Sequence, residues 1–162
     1  MPPKKSFSQN FLQDDAITSE IARHAGDFSW IVEIGAGEGA LTEAISTKTG
    51  KLIAIELDKD LIPKLRQRFQ NSSSVSIVEA DILHVNIIDL LRQKGFSPSS
   101  KERWALFGNI PYGITGKIIR LATALEPAPT SIVLMVQIEV AQRISPKSGK
   151  ESLLSIAVSL FG

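Results

Sequence analysis

Four short stretches of this chain carry side chains of types and spacings suited to chemistry. The first reads Glu33-Ile34-Gly35-Ala36-Gly37-Glu38-Gly39; single acids follow at Glu56 and Asp81, and then comes Asn109-Ile110-Pro111-Tyr112. Glycines at 35, 37 and 39 permit positive φ and let a ligand approach the backbone, and a helix starting behind them offers partial positive charge to a small anionic group. Glu56 stands about 20 positions after Gly35, where folds with glycine-rich turns set an acid on the two ribose hydroxyls. Together these features imply a bound nucleoside.

The loop discriminates among nucleoside cofactors. A dinucleotide site needs G-x-G-x-x-G, whereas this loop reads G-x-G-x-G and carries Glu38 where a pyrophosphate would be repelled. No G-x-x-x-x-G-K-[ST] occurs either, which removes the P-loop nucleotide sites. S-adenosylmethionine has adenine, ribose, one carboxylate, an ammonium and a sulfonium but no phosphate. It fits this loop, and the acidic Glu33 is then an asset.

The fourth stretch suits methyl transfer to a base. An amino group on a base is a poor nucleophile because its lone pair is delocalised into the ring, and acceptors that hold its hydrogens favour a pyramidal, reactive nitrogen. Asn109 offers a side-chain carbonyl, and Ile110 a backbone carbonyl that the rigid Pro111 helps orient. Tyr112 offers a ring to stack on an extruded base. No strong general base is needed when the proton leaves after transfer.

These residues need a scaffold, and the rhythm of the chain supplies one. Apolar runs at Trp30 to Ile34, Lys51 to Ile55, Val75 to Val78, Trp104 to Phe107 and Ser131 to Val136 each precede a segment with helical spacing or helix-start chemistry. Runs that are apolar nearly throughout suit strands covered on both faces. The expected fold is therefore α/β, a doubly wound, mainly parallel sheet of Rossmann-like type, with ligands gathered beyond the carboxyl ends of the strands. A leading helix capped by Asp14 or Asp15 and ended by Gly26 is expected, and Asp58 or Asp60 is expected to start another that carries Leu61, Leu65 and Phe69. Gly95 to Glu102 and Ser145 to Lys150 read as exposed connections, and Leu153 to Phe161 as an apolar-faced helix. The whole of 1–162 reads as one domain belonging to something longer.

Composition narrows the classes further. With 43% hydrophobic and 22% charged residues the chain is that of an ordinary globular domain, which excludes disordered, collagen-like and coiled-coil architectures. The absence of cysteine excludes disulfides, cysteine-ligated zinc and thiol nucleophiles, and two histidines are too few for a typical histidine metal site, so no metal is expected. His24 and His84 read as surface or capping residues, and Trp30 and Trp104 as packing. No stretch approaches the ~20 apolar residues of a membrane span, and Met1 to Ser6 does not open a secretory signal, so a cytoplasmic location without membrane contact is expected. A formal net charge of +1 provides no global field, leaving local groups: Lys4 and Lys5; Lys64, Arg66 and Arg68; Arg143, Lys147 and Lys150. Lys4, Lys5 and Lys147 are the preferred RNA contacts.

With these motifs in order, the sequence resembles the ribosomal RNA adenine N6-dimethyltransferases, which join small-subunit enzymes of the kasugamycin-resistance type to the erythromycin-resistance methyltransferases. The matching blocks are Ser8-Gln9-Asn10-Phe11-Leu12, Glu33 to Thr42, Ile55-Glu56-Leu57-Asp58, Glu79-Ala80-Asp81-Ile82 and Gly108 to Tyr112. The resemblance implies an S-adenosylmethionine-dependent methyltransferase fold, with S-adenosylhomocysteine as product. It implies that Asn10 and Leu12 contact the cofactor, that Gly35, with Gly37, lines its amino-acid moiety and that Glu56, beside Leu57, holds the ribose. Asp81 and the Ile82 backbone would hold the adenine, Asn109 would meet both cofactor and target amine, and Tyr112 would stack on the target adenine. It further implies a monomer acting on ribosomal RNA within a small-subunit particle. Two departures stand out: Gly113 replaces the larger polar residue usual after Asn-x-Pro-Tyr, and the family's additional strands and helical C-terminal domain lie beyond these residues.

The leading expectation is dimethylation of adenine N6 in small-subunit ribosomal RNA. The alternatives are a large-subunit enzyme of the antibiotic-resistance type, an RNA-binding assembly or transcription factor with a dispensable methyltransferase site, and a methyltransferase for protein or small-molecule amines.

Overall fold

The computed structural model describes residues 15–144 apart from 27, 99, 100 and 111, and at 15 and 112 the backbone alone. The elements run α1 (Asp15–Arg23), β1 (Trp30–Ile34), α2 (Ala40–Ser46), β2 (Lys51–Glu56), α3 (Ile62–Arg68), β3 (Val75–Glu79), α4 (Ile87–Gln93), β4 (Trp104–Asn109), a 3-10 turn (Tyr112–Ile114), α5 (Thr115–Thr123), β5 (Ser131–Met135) and α6 (Ile138–Ile144). The strands form one sheet in the order β3-β2-β1-β4-β5, and every pairing is parallel. The α/β expectation and all five strands are thus borne out. The expected helix over 153–161 and the connection 145–150 lie outside the described residues.

Strand parity divides the core. Trp30, Val32 and Ile34 of β1 pack with Ile53, Ile55, Trp104 and Leu106 beneath α4 and α5, whose Ile87, Leu91 and Ile118 close that face. Alternate residues Ile31, Leu52, Ala105 and Phe107 meet α2 through Leu41 and Ile45, and Ala54 meets Leu61 and Leu65 beside α3. Both faces are covered, which is why the strands read as unbroken apolar runs.

Gly108 has a packing reason inside β4. A Cβ there would sit 2.8 Å from the Ile34 carbonyl oxygen, inside any tolerable contact, so only glycine lets β4 lie in register against β1. Gly108→Ala is expected to destabilise the fold by about 2–4 kcal/mol through overpacking against backbone that cannot yield. Urea unfolding checks this.

Two local expectations need correction. The helix expected from Asp58 or Asp60 begins at Ile62: the Asp58 carboxylate accepts the Asp60 N–H at 3.0 Å and its carbonyl the Leu61 N–H, closing a turn before the helix. Pro63 fits the first helical turn, where no N–H is needed. The connection from Gly95 is not wholly exposed either, because Phe96 is buried edge-on against the Trp30 ring, their centroids 6.2 Å apart. A lone aromatic inside a Gly/Ser/Pro-rich stretch carries no periodicity to betray it.

Candidate functional site at the carboxyl ends of the strands

The order of the sheet reverses between β1 and β4, and the segments leaving these two strands flank the crevice. Gly35, Gly37 and Gly39 all adopt positive φ, at 73°, 58° and 88°. The turn is pinned across to β2, since the Gly35 N–H donates to the Ile55 carbonyl at 2.9 Å. Its other side abuts β4: a Cβ on Gly35 would lie 3.2 Å from the Asn109 carbonyl oxygen. A bare backbone cradle results, bounded by Asn109.

Glu33, Glu56 and Asn109 share one sheet face, because Glu33 pairs with Ala54 and Phe107, each two positions before Glu56 and Asn109. Glu56 is buried and its carboxylate is engaged: Oε2 accepts the Gly37 N–H, while Oε1 accepts the N–H groups of Leu57 and Asp58, each at 2.8 Å. Leu57 itself turns outward and is exposed.

Glu33 is buried against α2, where the Thr42 hydroxyl donates to its Oε2 at 2.6 Å and Oε1 has no partner. Burial pushes its carboxyl up to about 7; the Thr42 hydrogen bond works against the shift, and the charge of Glu56 adds to it. The folded form therefore holds a proton that the unfolded chain, near 4.5, gives up. Below about pH 4.5 both forms are protonated and Glu33 costs nothing. As pH rises through about 7 the folded state is left with a buried charge and loses roughly 3 kcal/mol relative to acid conditions. Glu33→Gln is expected to flatten this dependence, so that in urea unfolding its stability relative to wild type improves between pH 5 and pH 8.

Asp81 follows β3, beyond Ala80, whose N–H donates to the Glu56 carbonyl at 3.0 Å. Its Oδ1 accepts the Leu83 N–H and its Oδ2 meets His84 Nδ1, both at 2.9 Å. The Leu83 N–H, with smaller help from His84 and from Lys117 on α5, outweighs desolvation and holds the Asp81 carboxyl below its usual range. Ile82 is buried beside it, as is Ile110, whose N–H donates to the Met135 carbonyl at 3.3 Å.

The described residues thus bring together Glu33, the glycine turn, Glu56 and Asn109, with Asp81 and Ile82 at the next strand end; Asn10, Leu12 and Pro111 lie outside them. Three partners escaped the sequence reading. Thr42 and His84 were within reach of it, on the first turn of a helix and at i+3 from Asp81. Arg68 was not: it is 30 residues from Glu38, yet its guanidinium donates to the Glu38 carbonyl at 2.7 Å and pairs with Glu43. It is exposed like Arg66, but it also braces the outside of the glycine turn, next to Leu65 and Phe69, whose side chains a Cβ on Gly39 would meet at 3.0 Å. Among the described residues no helix is long and apolar enough to cross a membrane.

Comparison with known proteins agrees with this geometry. The family model for ribosomal RNA adenine dimethylase matches residues 2–162. Relatives named ribosomal RNA small subunit methyltransferase A from Acidobacterium capsulatum and Koribacter versatilis are each 37% identical, across 97% and 99% of this chain. The chain spans only 54% and 60% of their lengths. A dimethyladenosine transferase from Plasmodium falciparum superposes with a TM-score of 0.75 at 25% identity, covering 93% of this chain and 52% of that one. The 23S rRNA methyltransferase ErmE gives 0.73 at 28% identity, covering 91% and 56%. On the match of nearly its whole length, the chain belongs to the ribosomal RNA adenine dimethylase family.

Proposed function

We propose that residues 1–162 form the S-adenosylmethionine-binding, catalytic portion of an enzyme that dimethylates adenine N6 in small-subunit ribosomal RNA. The observation that carries this reading is the junction of three strand ends, where the positive-φ glycine turn is tied to the Glu56 carboxylate and abuts Asn109. The cofactor fits that junction. Glycine backbone leaves space that a Cβ at Gly35 would fill, and the unpartnered Glu33 Oε1 is a buried acceptor suited to an ammonium donor.

Glu56 would take the ribose diol. A carboxylate has about four acceptor positions, and three backbone N–H groups already use it. The bond from Gly37 is the exchangeable one, because Leu57 and Asp58 belong to the turn that Glu56 itself opens. Asp81, kept ionised at neutral pH, and the backbone of Ile82 would face the adenine, with Leu57 beside Glu56 and with Asn10 and Leu12 completing the pocket.

When bound, the cofactor supplies an electrophilic methyl group on a sulfonium. The side-chain carbonyl of Asn109 and the backbone carbonyl of Ile110, set by Pro111, would accept hydrogens of the target amine and leave its lone pair directed at that methyl group, while Tyr112 stacks on the extruded base. Relatives named for the small subunit, at 37% identity, favour that subunit over the large one, and the chain is taken to act as a monomer in the cytoplasm. The test is nucleoside mass analysis of unmodified small-subunit ribosomal RNA after incubation with the chain and S-adenosylmethionine. N6,N6-dimethyladenosine is expected; unmodified adenosine, from protein that binds both partners, would contradict the reading.

A further inference from the structure

The opposite pole of the sheet, at the amino ends of the strands, collects five exposed cations that no run of sequence groups together: Lys48, Lys51, Lys94, Lys101 and Arg103. Hydrogen bonds and ring contacts knit their connections into one surface. Ser29 links them, its carbonyl accepting the Lys51 N–H at 3.0 Å and its own N–H donating to the Arg103 carbonyl at 3.0 Å. The Thr49 hydroxyl, next to Lys48, donates to the Phe28 carbonyl at 2.9 Å. Lys51 Nζ lies 4.4 Å from the Trp30 ring centroid, and a Cβ on Gly95, next to Lys94, would meet that same Nζ at 3.8 Å. The Arg103 guanidinium lies over the Phe28 ring at 5.2 Å.

Elsewhere among the described residues Arg23, Lys59, Arg68 and Arg92 pair with carboxylates, as Arg23–Glu20, Lys59–Glu79, Arg68–Glu43 and Arg92–Asp89, while Lys64, Arg66, Lys117 and Arg120 are in no such pair but are not gathered with the five. Among the described residues, none of the five polar cations is in such a pair. The facing acids are Glu102, whose carboxylate accepts the Ser97 N–H, and Glu126 in the connection before β5; Asp27 lies outside the described residues. Lys51 and Arg103 flank β1 from its two neighbours, so their backbones stand about 10 Å apart at two strand spacings. A cationic strip of that width fits a row of backbone phosphates rather than a single small anion.

We propose that this pole is a second RNA-docking surface, which grips the phosphate backbone of a duplex segment away from the methyl-transfer crevice. The proposal rests on the reading that the enzyme's substrate is RNA. Base identity would not matter there, only charge and shape.

The test uses a fluorescent RNA duplex of roughly 20 base pairs and a Lys48→Glu/Lys94→Glu/Lys101→Glu variant, which spares the two ring-stacked cations. Binding is expected to weaken about tenfold or more, and the log–log salt slope to fall by roughly 2 to 3. Unfolding midpoint and calorimetric S-adenosylmethionine affinity are expected to stay at wild-type values; they read the fold and the cofactor site separately. Wild-type duplex affinity in the variant would overturn the proposal. So would absence of duplex binding by the wild type, or an equal loss in an Arg23→Glu/Lys64→Glu/Arg66→Glu variant, which would reduce the effect to overall charge. A fall in the unfolding midpoint moves the comparison to Lys94→Gln/Lys101→Gln, where unchanged affinity would likewise overturn it.

Discussion

Glu56→Ala is expected to weaken S-adenosylmethionine binding by more than about 100-fold. Two ribose hydroxyls donating to a carboxylate are each worth about 1.5–3 kcal/mol, so their joint loss alone spans roughly two to four decades in affinity. The substitution also removes the acceptor of the Gly37 N–H and so frees the middle of the glycine turn. It further strips the N–H groups of Leu57 and Asp58 of their partner, which costs stability as well. Glu56→Gln separates these effects, because its amide oxygen can still accept from one backbone group and the fold is held better than the affinity. Equilibrium dialysis with labelled cofactor reads the first effect and thermal unfolding the second. Near wild-type affinity in folded Glu56→Ala would remove the ribose role.

Asn109→Ala is expected to lower methyl transfer to ribosomal RNA by about 10²–10³-fold at saturating cofactor and RNA, the usual cost of losing one positioned polar group at a reacting centre. Cofactor affinity should fall much less, within about tenfold, because the glycine cradle meets the backbone carbonyl of Asn109, which alanine keeps. Gly108, the strand residue before it, is untouched, so the register of β4 and the unfolding midpoint should persist. Single-turnover transfer from labelled cofactor measures the rate, and unimpaired transfer would exclude the side chain from the reaction.

What could be read from the residues follows from the range of the forces involved. Strands covered on both faces announce themselves locally, and a ligand cradle in this fold class falls at a known place. Glu33, the glycines, Glu56, Asp81 and Asn109 could therefore be chosen before any coordinates. The partners that tune them were harder to find. Thr42, nine residues from Glu33, is marked only by its place on the first turn of the helix behind the glycines, and Arg68 lies thirty residues from Glu38 with nothing in either neighbourhood to mark the pairing. Adjacency in sequence also misdirects charge arguments. Arg68 reads as one of a local basic group with Lys64 and Arg66, yet it alone of the three braces the glycine turn, whereas Lys48, Lys94 and Arg103, dispersed along the chain, meet at one pole because parallel strands all start there.

Binding of S-adenosylmethionine to this chain, followed by titration calorimetry with NAD as the comparison ligand, tests the account most directly. Saturable one-site heat is expected with S-adenosylmethionine and none with NAD, since Glu38 and the G-x-G-x-G spacing leave no place for a pyrophosphate. No heat with S-adenosylmethionine from folded protein, or saturable binding of NAD in its place, would contradict it.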